Sequence, residues 1–237
     1  MEQIENNESK ERILSASIKL FSEKGFDATR VNEIAETANV NKALIYYYFK
    51  SKEEILDYLV SSLFNSVTSM VMDFIHESVV HMVDDGLLDI EPDRLHFVSE
   101  EALQLFLKNM DTYYEKVLDY VIEHRHIIRI LLVESLKDGK HHDDLFRLMD
   151  LTKDSENNPV YTTIRDADKD FIYTEGMVLH KFFFSLMPII NFAVYLDDYK
   201  KRSPLSEQEL RDSFLRSLKI GIPTLISGKD ILLLVRE

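Results

Sequence analysis

The sequence has no cysteine, so disulfides and thiolate metal sites are excluded, and a reducing cytoplasm fits that composition. Glycine and proline are scarce, six and five in 237 residues, so little interrupts regular structure. Sustained period-two alternation is missing, whereas apolar residues recur every three to four positions over long stretches. These features predict an all-α chain. The N-terminus, MEQIENNESKER, lacks the basic and apolar regions of a signal peptide. The longest apolar run, FFFSLMPIINFAVYL, has 15 residues and contains Ser185, Pro188 and Asn191. A spanning helix needs about 20 residues, so this run reads as a buried core helix and no membrane association is expected.

Positive charge is also in short supply. The net charge is −14, which argues against a protein that coats nucleic acid indiscriminately. The deficit is unevenly spread, however. Residues 9–52 hold eight basic and five acidic side chains, a balance of +3, whereas residues 53–237 hold twenty basic against thirty-four acidic, a balance of −14. Only the N-terminal stretch is suited to meeting a polyanion.

That stretch has clear helix punctuation. A first helix is predicted from about Lys10 to Lys24, with Ser9 as N-cap, Ile13, Ala16, Leu20 and Phe21 as its apolar stripe and Gly25 as its stop. A short second helix follows Thr29, with Val31, Ile34, Ala35 and Ala38 inward, and Asn39 takes the left-handed turn position. A third helix begins at Asn41 and ends near Phe49, its entry fixed by a Val40–Ile45 staple. Ser51 and Glu54 form a capping box for a long fourth helix. Gly86 and Pro92 then mark a break. Helical patterns resume over about 95–124 and 127–137, more weakly over 142–151, and strongly over 172–199 and 206–226, the last opening on a Ser206/Glu209 capping box. Residues 152–170 read as a polar loop, and the tail ILLLV at 231–235 has no assigned place.

Two short helices joined by a tight turn within a three-helix unit describe a helix-turn-helix, whose second helix enters the DNA major groove. At 100° per residue, Tyr48 and Phe49 share the face of Ile45, while Ala43 and Tyr47 lie nearly opposite, flanked by Leu44 and Tyr46. Lys42 sits beside this outer face. Tyrosine hydroxyls bond phosphate, Ala and Leu touch thymine methyls, and Lys reaches guanine acceptors or phosphate. The candidate DNA contacts are therefore Lys42, Ala43, Leu44, Tyr46 and Tyr47. Thr29 and Arg30 are added at the start of the second helix, and Lys52 in the first turn of the fourth. The competing reading is that the YYYF run is ordinary core.

Residues 12–56 resemble the DNA-binding domain of the tetracycline-repressor (TetR) family of bacterial regulators. The resemblance rests on Arg12–Ile13–Leu14, Ala16, Leu20–Phe21, Gly25–Phe26, Ala28–Thr29, Ile34–Ala35, Val40, Lys42, Tyr46, Tyr48–Phe49 and Lys52. Asn39, Asn41, Ala43, Leu44 and Ile45 depart from the family's usual residues, so no operator sequence carries over. The resemblance implies a helix-turn-helix DNA-binding domain (9–52) followed by a larger helical ligand-binding and dimerisation domain (53–237). It further implies a homodimer on double-stranded palindromic operator DNA, repression, and release by a small-molecule effector. An activator or corepressor-type regulator is the alternative within the family; a helical interaction protein without operator binding is the alternative outside it. The family's dimer is a four-helix bundle of the last two major helices. In agreement, GMVLHKFFFSLMPIINFAVYL is apolar nearly all round, and the last helix carries Leu210, Phe214 and Leu218 on one stripe and Leu215, Ile222 and Ile226 on another. Phe184, Leu210, Phe214 and Leu218 are the interface candidates.

Candidate effector contacts are Phe74, Phe106, Tyr113, Tyr114 and Val117, which favour an apolar or aromatic ligand. His141–His142–Asp143–Asp144 offers no i,i+4 histidine pair, so no metal is expected. No catalytic or nucleotide-binding fingerprint occurs, so neither an enzyme nor a cofactor is expected.

Overall fold

A computed structural model of the protein describes residues 2–91 and 94–227, with side chains described for residues 7–90 and 95–221. The 231–235 tail and the Ile222 and Ile226 side chains lie outside that description. By contact, the chain divides into a unit of residues 1–66 with 124–145, and a second unit of residues 67–123 with 146–237.

The first unit contains α1 (Glu2–Lys24), α2 (Val31–Ala38), α3 (Lys42–Tyr48), the start of α4 (Lys52–Ile75), and α7 (Arg125–Ser135). Helix α1 begins earlier than the Ser9 cap predicts, because residues 2–9 hold neither proline nor glycine to stop it; Ser9 is within the helix and accepts from Arg12 at 3.4 Å. Ile13, Phe21, Ile34, Ile45, Ile55 and Leu56 are all fully buried, so the first four helices share one core. Such burial contributes about 1.5–3 kcal/mol per large side chain. Helix α7 packs against α1 within this unit and supplies Ile127, Ile130 and Leu131 to it, a grouping that the sequence division at residue 52 does not contain.

The second unit holds the rest of α4, a π-helical stretch (His76–Val80) and α5 (His81–Asp84). Strands β1 (Leu88–Glu91) and β2 (Arg94–Phe97), α6 (Glu100–Glu123) and, from Phe146 on, a 3₁₀ stretch (Leu145–Thr152) come next. Helices α8 (Pro159–Ala167), α9 (Glu175–His180), α10 (Met187–Lys200) and α11 (Glu207–Ser227) complete it. Two expectations are corrected here. Residues 95–97, expected to open a helix, instead lie in β2, paired antiparallel to β1 with Leu88 opposite Phe97 and Ile90 opposite Leu95, so an apolar face alternates with Asp89 and His96. Each strand has four residues, too short for alternation to stand out in the sequence. The supposed polar loop at 152–170 contains α8. Asn158 caps it by accepting from the Val160 N–H at 3.0 Å, Pro159 occupies its first turn, and Val160, Tyr161 and Ile164 are buried.

Helices α9 and α10 are one continuous run interrupted by a π-helical segment, Lys181–Leu186. Pro188 accounts for it. Proline lacks the N–H that would bond the Phe184 carbonyl, and its ring crowds that turn, so the preceding residues unwind to a wider register. The final capping box forms as expected: the Ser206 N–H donates to Glu209 Oε2 at 2.8 Å, and the Glu209 N–H to Ser206 Oγ at 3.3 Å.

Candidate nucleic-acid interface

The turn between α2 and α3 is built from two asparagines. Asn39 adopts φ 52°, ψ 50°, the left-handed conformation that asparagine tolerates better than most residues. This reverses the chain while the Val40 N–H still reaches the Ala35 carbonyl at 3.0 Å. Asn41 then caps α3, its side chain accepting from the Leu44 N–H at 2.7 Å. Phe49 leaves helical geometry at φ −139°, ending α3 after seven residues. At the start of α2, the Arg30 N–H donates to Glu33 Oε2 at 3.0 Å, and Glu33 takes Lys24 at 2.6 Å. Those donors hold the Glu33 carboxyl below the usual range, the Lys24 bond contributing most.

Ile45 and Phe49 anchor α3, with Phe49 edge-on to Tyr58 at 5.7 Å and the Lys10 ammonium 3.9 Å from the Tyr58 centroid. Tyr48 is part-buried. On the opposite side Tyr47 is 71 % exposed and Tyr46 49 % exposed, edge contacts and all: Tyr47 meets Tyr48 at 5.1 Å, and Lys42 stands 5.7 Å from the Tyr46 ring. Ala43 and Lys42 are exposed and Leu44 is part-buried. Lys50, absent from the candidate set, is exposed directly after the helix; among the described residues no carboxylate pairs with the ammonium of Lys42 or Lys50. Its place as one of three lysines flanking the aromatic run was the available signal.

Two of the eight candidate DNA contacts turn inward. Thr29 is 2 % exposed and its hydroxyl donates to the Gly25 carbonyl at 2.9 Å. The Lys52 ammonium donates to the carbonyls of Phe26 (2.7 Å), Thr29 (3.1 Å) and Asp27 (3.3 Å), and lies 4.3 Å from the Phe26 ring centroid. An ammonium has three donors, and all three are spent on the α1–α2 turn. Helical spacing could place Lys52 near the first turn of α4, but not reveal a cluster of carbonyls twenty-odd residues away. The capping box ahead of it forms in part: the Glu54 N–H donates to Ser51 Oγ at 3.2 Å, while the Glu54 carboxylate accepts from the Lys50 N–H.

The histidine cluster also changes character. His141 is 4 % exposed, edge-on to Phe26, with Nδ1 2.8 Å from Asp144 Oδ2 and 3.9 Å from Asp57 Oδ1. These three could each offer a metal one ligand atom, but Asp57 already takes Lys140 at 3.1 Å, and the His141–Asp144 contact has ordinary hydrogen-bond geometry.

In the second unit, four of the five effector candidates, Phe74, Tyr113, Tyr114 and Val117, line one cavity of about 200 Å³. Phe106 lies behind them, 5.9 Å from Phe74 and 5.2 Å from Phe97. The Tyr114 hydroxyl is 2.7 Å from Ser185 Oγ, and burial pushes the phenol pKa of both tyrosines up. Lys181 also lines the cavity and was not foreseen. Of the dimer candidates, Leu210 and Leu218 are covered within this unit, and Phe214 stacks on Phe192 at 4.2 Å. Phe184 is exposed, on one side of the helix with Tyr195 and Tyr199.

Residues 13–59 match the family model for bacterial regulatory proteins of the tetR family. Over 103 residues the chain is 40% identical to the biofilm operon icaADBC HTH-type negative transcriptional regulator IcaR of Staphylococcus aureus, spanning 44% of this chain and 54% of that protein. It is 26% identical over 144 residues to a protein described as "Probable HTH-type transcriptional regulator YttP" of Bacillus subtilis, covering 56% and 67%. The chain thus spans about half the length of the first of these relatives. A Clostridium perfringens regulator shares the fold at a TM-score of 0.56 and 17% identity, covering 95% of this chain and 100% of its own. A TetR-family transcriptional regulator from Haemophilus influenzae does so at 0.51 and 19%, covering 91% and 96%. The fold and the site define a helix-turn-helix unit, with α2 and α3 joined by the Asn39 turn. The match to the tetR family of bacterial regulatory proteins covers α2, α3 and the parts of α1 and α4 that pack on them.

Proposed function

We propose that the chain is a cytoplasmic, sequence-specific DNA-binding transcriptional regulator, not an enzyme: a homodimeric repressor released by a small molecule. The observation that carries this reading is the outer face of α3. Tyr46, Tyr47, Ala43 and Lys42 are held outward by a helix whose turn, cap and anchor are all satisfied, and all four are exposed. Tyr47 and Tyr46 bond phosphate, Ala43 and Leu44 meet thymine methyls, Lys42 reads guanine or phosphate, and Arg30 and Lys50 hold the flanking backbone. The similarity to a negative regulator favours repression.

A dimer of such units reads two half-sites when its α3 helices are separated by about 34–36 Å. The exposed side of the α9–α10 run, with Phe184, Tyr195 and Tyr199, is the surface assigned to the partner copy. That run is long and apolar enough to cross a membrane, as is 52–84, but it packs against α6 and α11 within its own unit, and a membrane role is not part of the proposal. Val67, Val71 and Phe74 of α4 line the cavity. A ligand there would shift α4, change the half-site spacing and weaken DNA binding; by linkage, DNA weakens the ligand by the same factor.

Selection of duplexes from a random pool by the purified protein tests the reading. Enrichment of a palindrome is expected. A pool that stays random through successive rounds would reject operator binding and favour an interaction protein.

A further inference from the structure

The cavity of the second unit is walled mainly by Val67, Val71, Phe74, Val117, Phe182 and Ile189, yet Lys181 is also part of its wall. Lys181 opens the π-helical segment forced by Pro188, and Phe182, Ser185 and Leu186 of the same wide segment also line the cavity. Such segments are often found at functional sites. Among the described residues, no carboxylate pairs with Lys181, and its ammonium lies 4.5 Å from the centroid of the Tyr173 ring. Among the described residues, the other polar side chains of the wall carry neutral hydroxyls, on Tyr113, Tyr114, Thr152 and Ser185, and of these the Tyr114 and Ser185 hydroxyls bond each other. A cationic ligand would be repelled by this site, and a neutral one would leave a desolvated charge without a counterion.

We infer that the cavity takes a small organic monoanion, an aromatic ring or short apolar body carrying one carboxylate, with Lys181 as the counterion of that group. The size agrees. A cavity of about 150 Å³ accepts benzene, so this one, about 200 Å³, has room for a ring and a few further atoms. Burial alone draws the Lys181 pKa down to about 8, with no carboxylate to raise it, so the free protein holds this charge at a cost that a bound anion removes. The inference sharpens the effector half of the regulatory reading and rests on it only for the consequence at DNA.

The test uses the full-length protein without DNA, titrated by ligand-observed NMR with 4-ethylbenzoate and with its neutral isostere 4-ethylbenzamide. The benzoate should bind the wild type at least tenfold more tightly than the amide. Lys181→Met should lose that preference while keeping the amide's affinity, and Lys181→Arg should retain it. Equal binding of the two probes, binding of neither up to solubility, or an undiminished preference in a folded Lys181→Met variant would overturn the inference. DNA binding by the same preparations is measured separately. Loss of the anion preference with intact DNA binding sinks this inference alone, and the converse sinks the regulator reading alone.

Discussion

Replacing Lys52 by methionine separates a structural lysine from a phosphate-binding one. Its ammonium donates to three carbonyls of the α1–α2 turn and lies over the Phe26 ring. A hydrogen bond involving a charged group contributes about 1.5–3 kcal/mol net. The three bonds share one ammonium, and the Asp27 carbonyl is exposed enough for water to replace the lysine. The loss should therefore be nearer that of one good bond plus a cation–π contact, about 2–3 kcal/mol. Methionine keeps most of the apolar stem, so packing changes contribute little. For a chain of this size a loss of 1 kcal/mol lowers Tm by about 2–4 °C, giving a fall of roughly 4–12 °C. Thermal melting by circular dichroism at fixed protein concentration measures it. The reasoning is refuted if Tm stays within a degree of wild type while the slope of log binding against log salt becomes shallower by about 0.9, because that result describes a phosphate contact.

Other consequences are independent of that lysine. Asn39→Gly should be neutral or slightly stabilising and Asn39→Val should cost about 1–2 kcal/mol, read from urea unfolding, because only the left-handed backbone distinguishes them; equal stabilities would remove the turn argument. Phe184→Glu and Tyr195→Glu should each convert a dimer to monomers in sedimentation velocity without lowering helicity, since both side chains are exposed; unchanged dimers in both variants would place the interface elsewhere.

The sequence disclosed what is local. Caps at Asn41, Ser51 and Ser206, the left-handed Asn39 and the division of Tyr46–Phe49 into inner and outer rings all follow from interactions within about four residues. It was silent where the partner is remote. Lys52 and Thr29 look like surface residues at helix starts, and only the fold brings one to the α1–α2 carbonyls and buries the other. Leu210 and Leu218 form a stripe that periodicity marks as buried without saying by what, and their own unit covers them. Helix α8 was legible in principle, since Asn158–Pro159 is a cap followed by a first-turn proline, but the surrounding charges outweighed it. Lys181 was hidden because a lysine in an apolar helix gives no sign of facing a cavity until the π-helical register is known.

The central claim is that the outer face of α3 reads DNA, and it is tested most directly by fluorescence-anisotropy titration of the selected duplex across salt concentrations. Tyr47→Ala should weaken binding roughly tenfold with the salt slope unchanged, because a neutral hydroxyl releases no counterion. Lys42→Ala should weaken binding and, if its ammonium neutralises a phosphate, lower the slope by about 0.9. Wild-type affinity in both variants, at every salt concentration, would contradict the account.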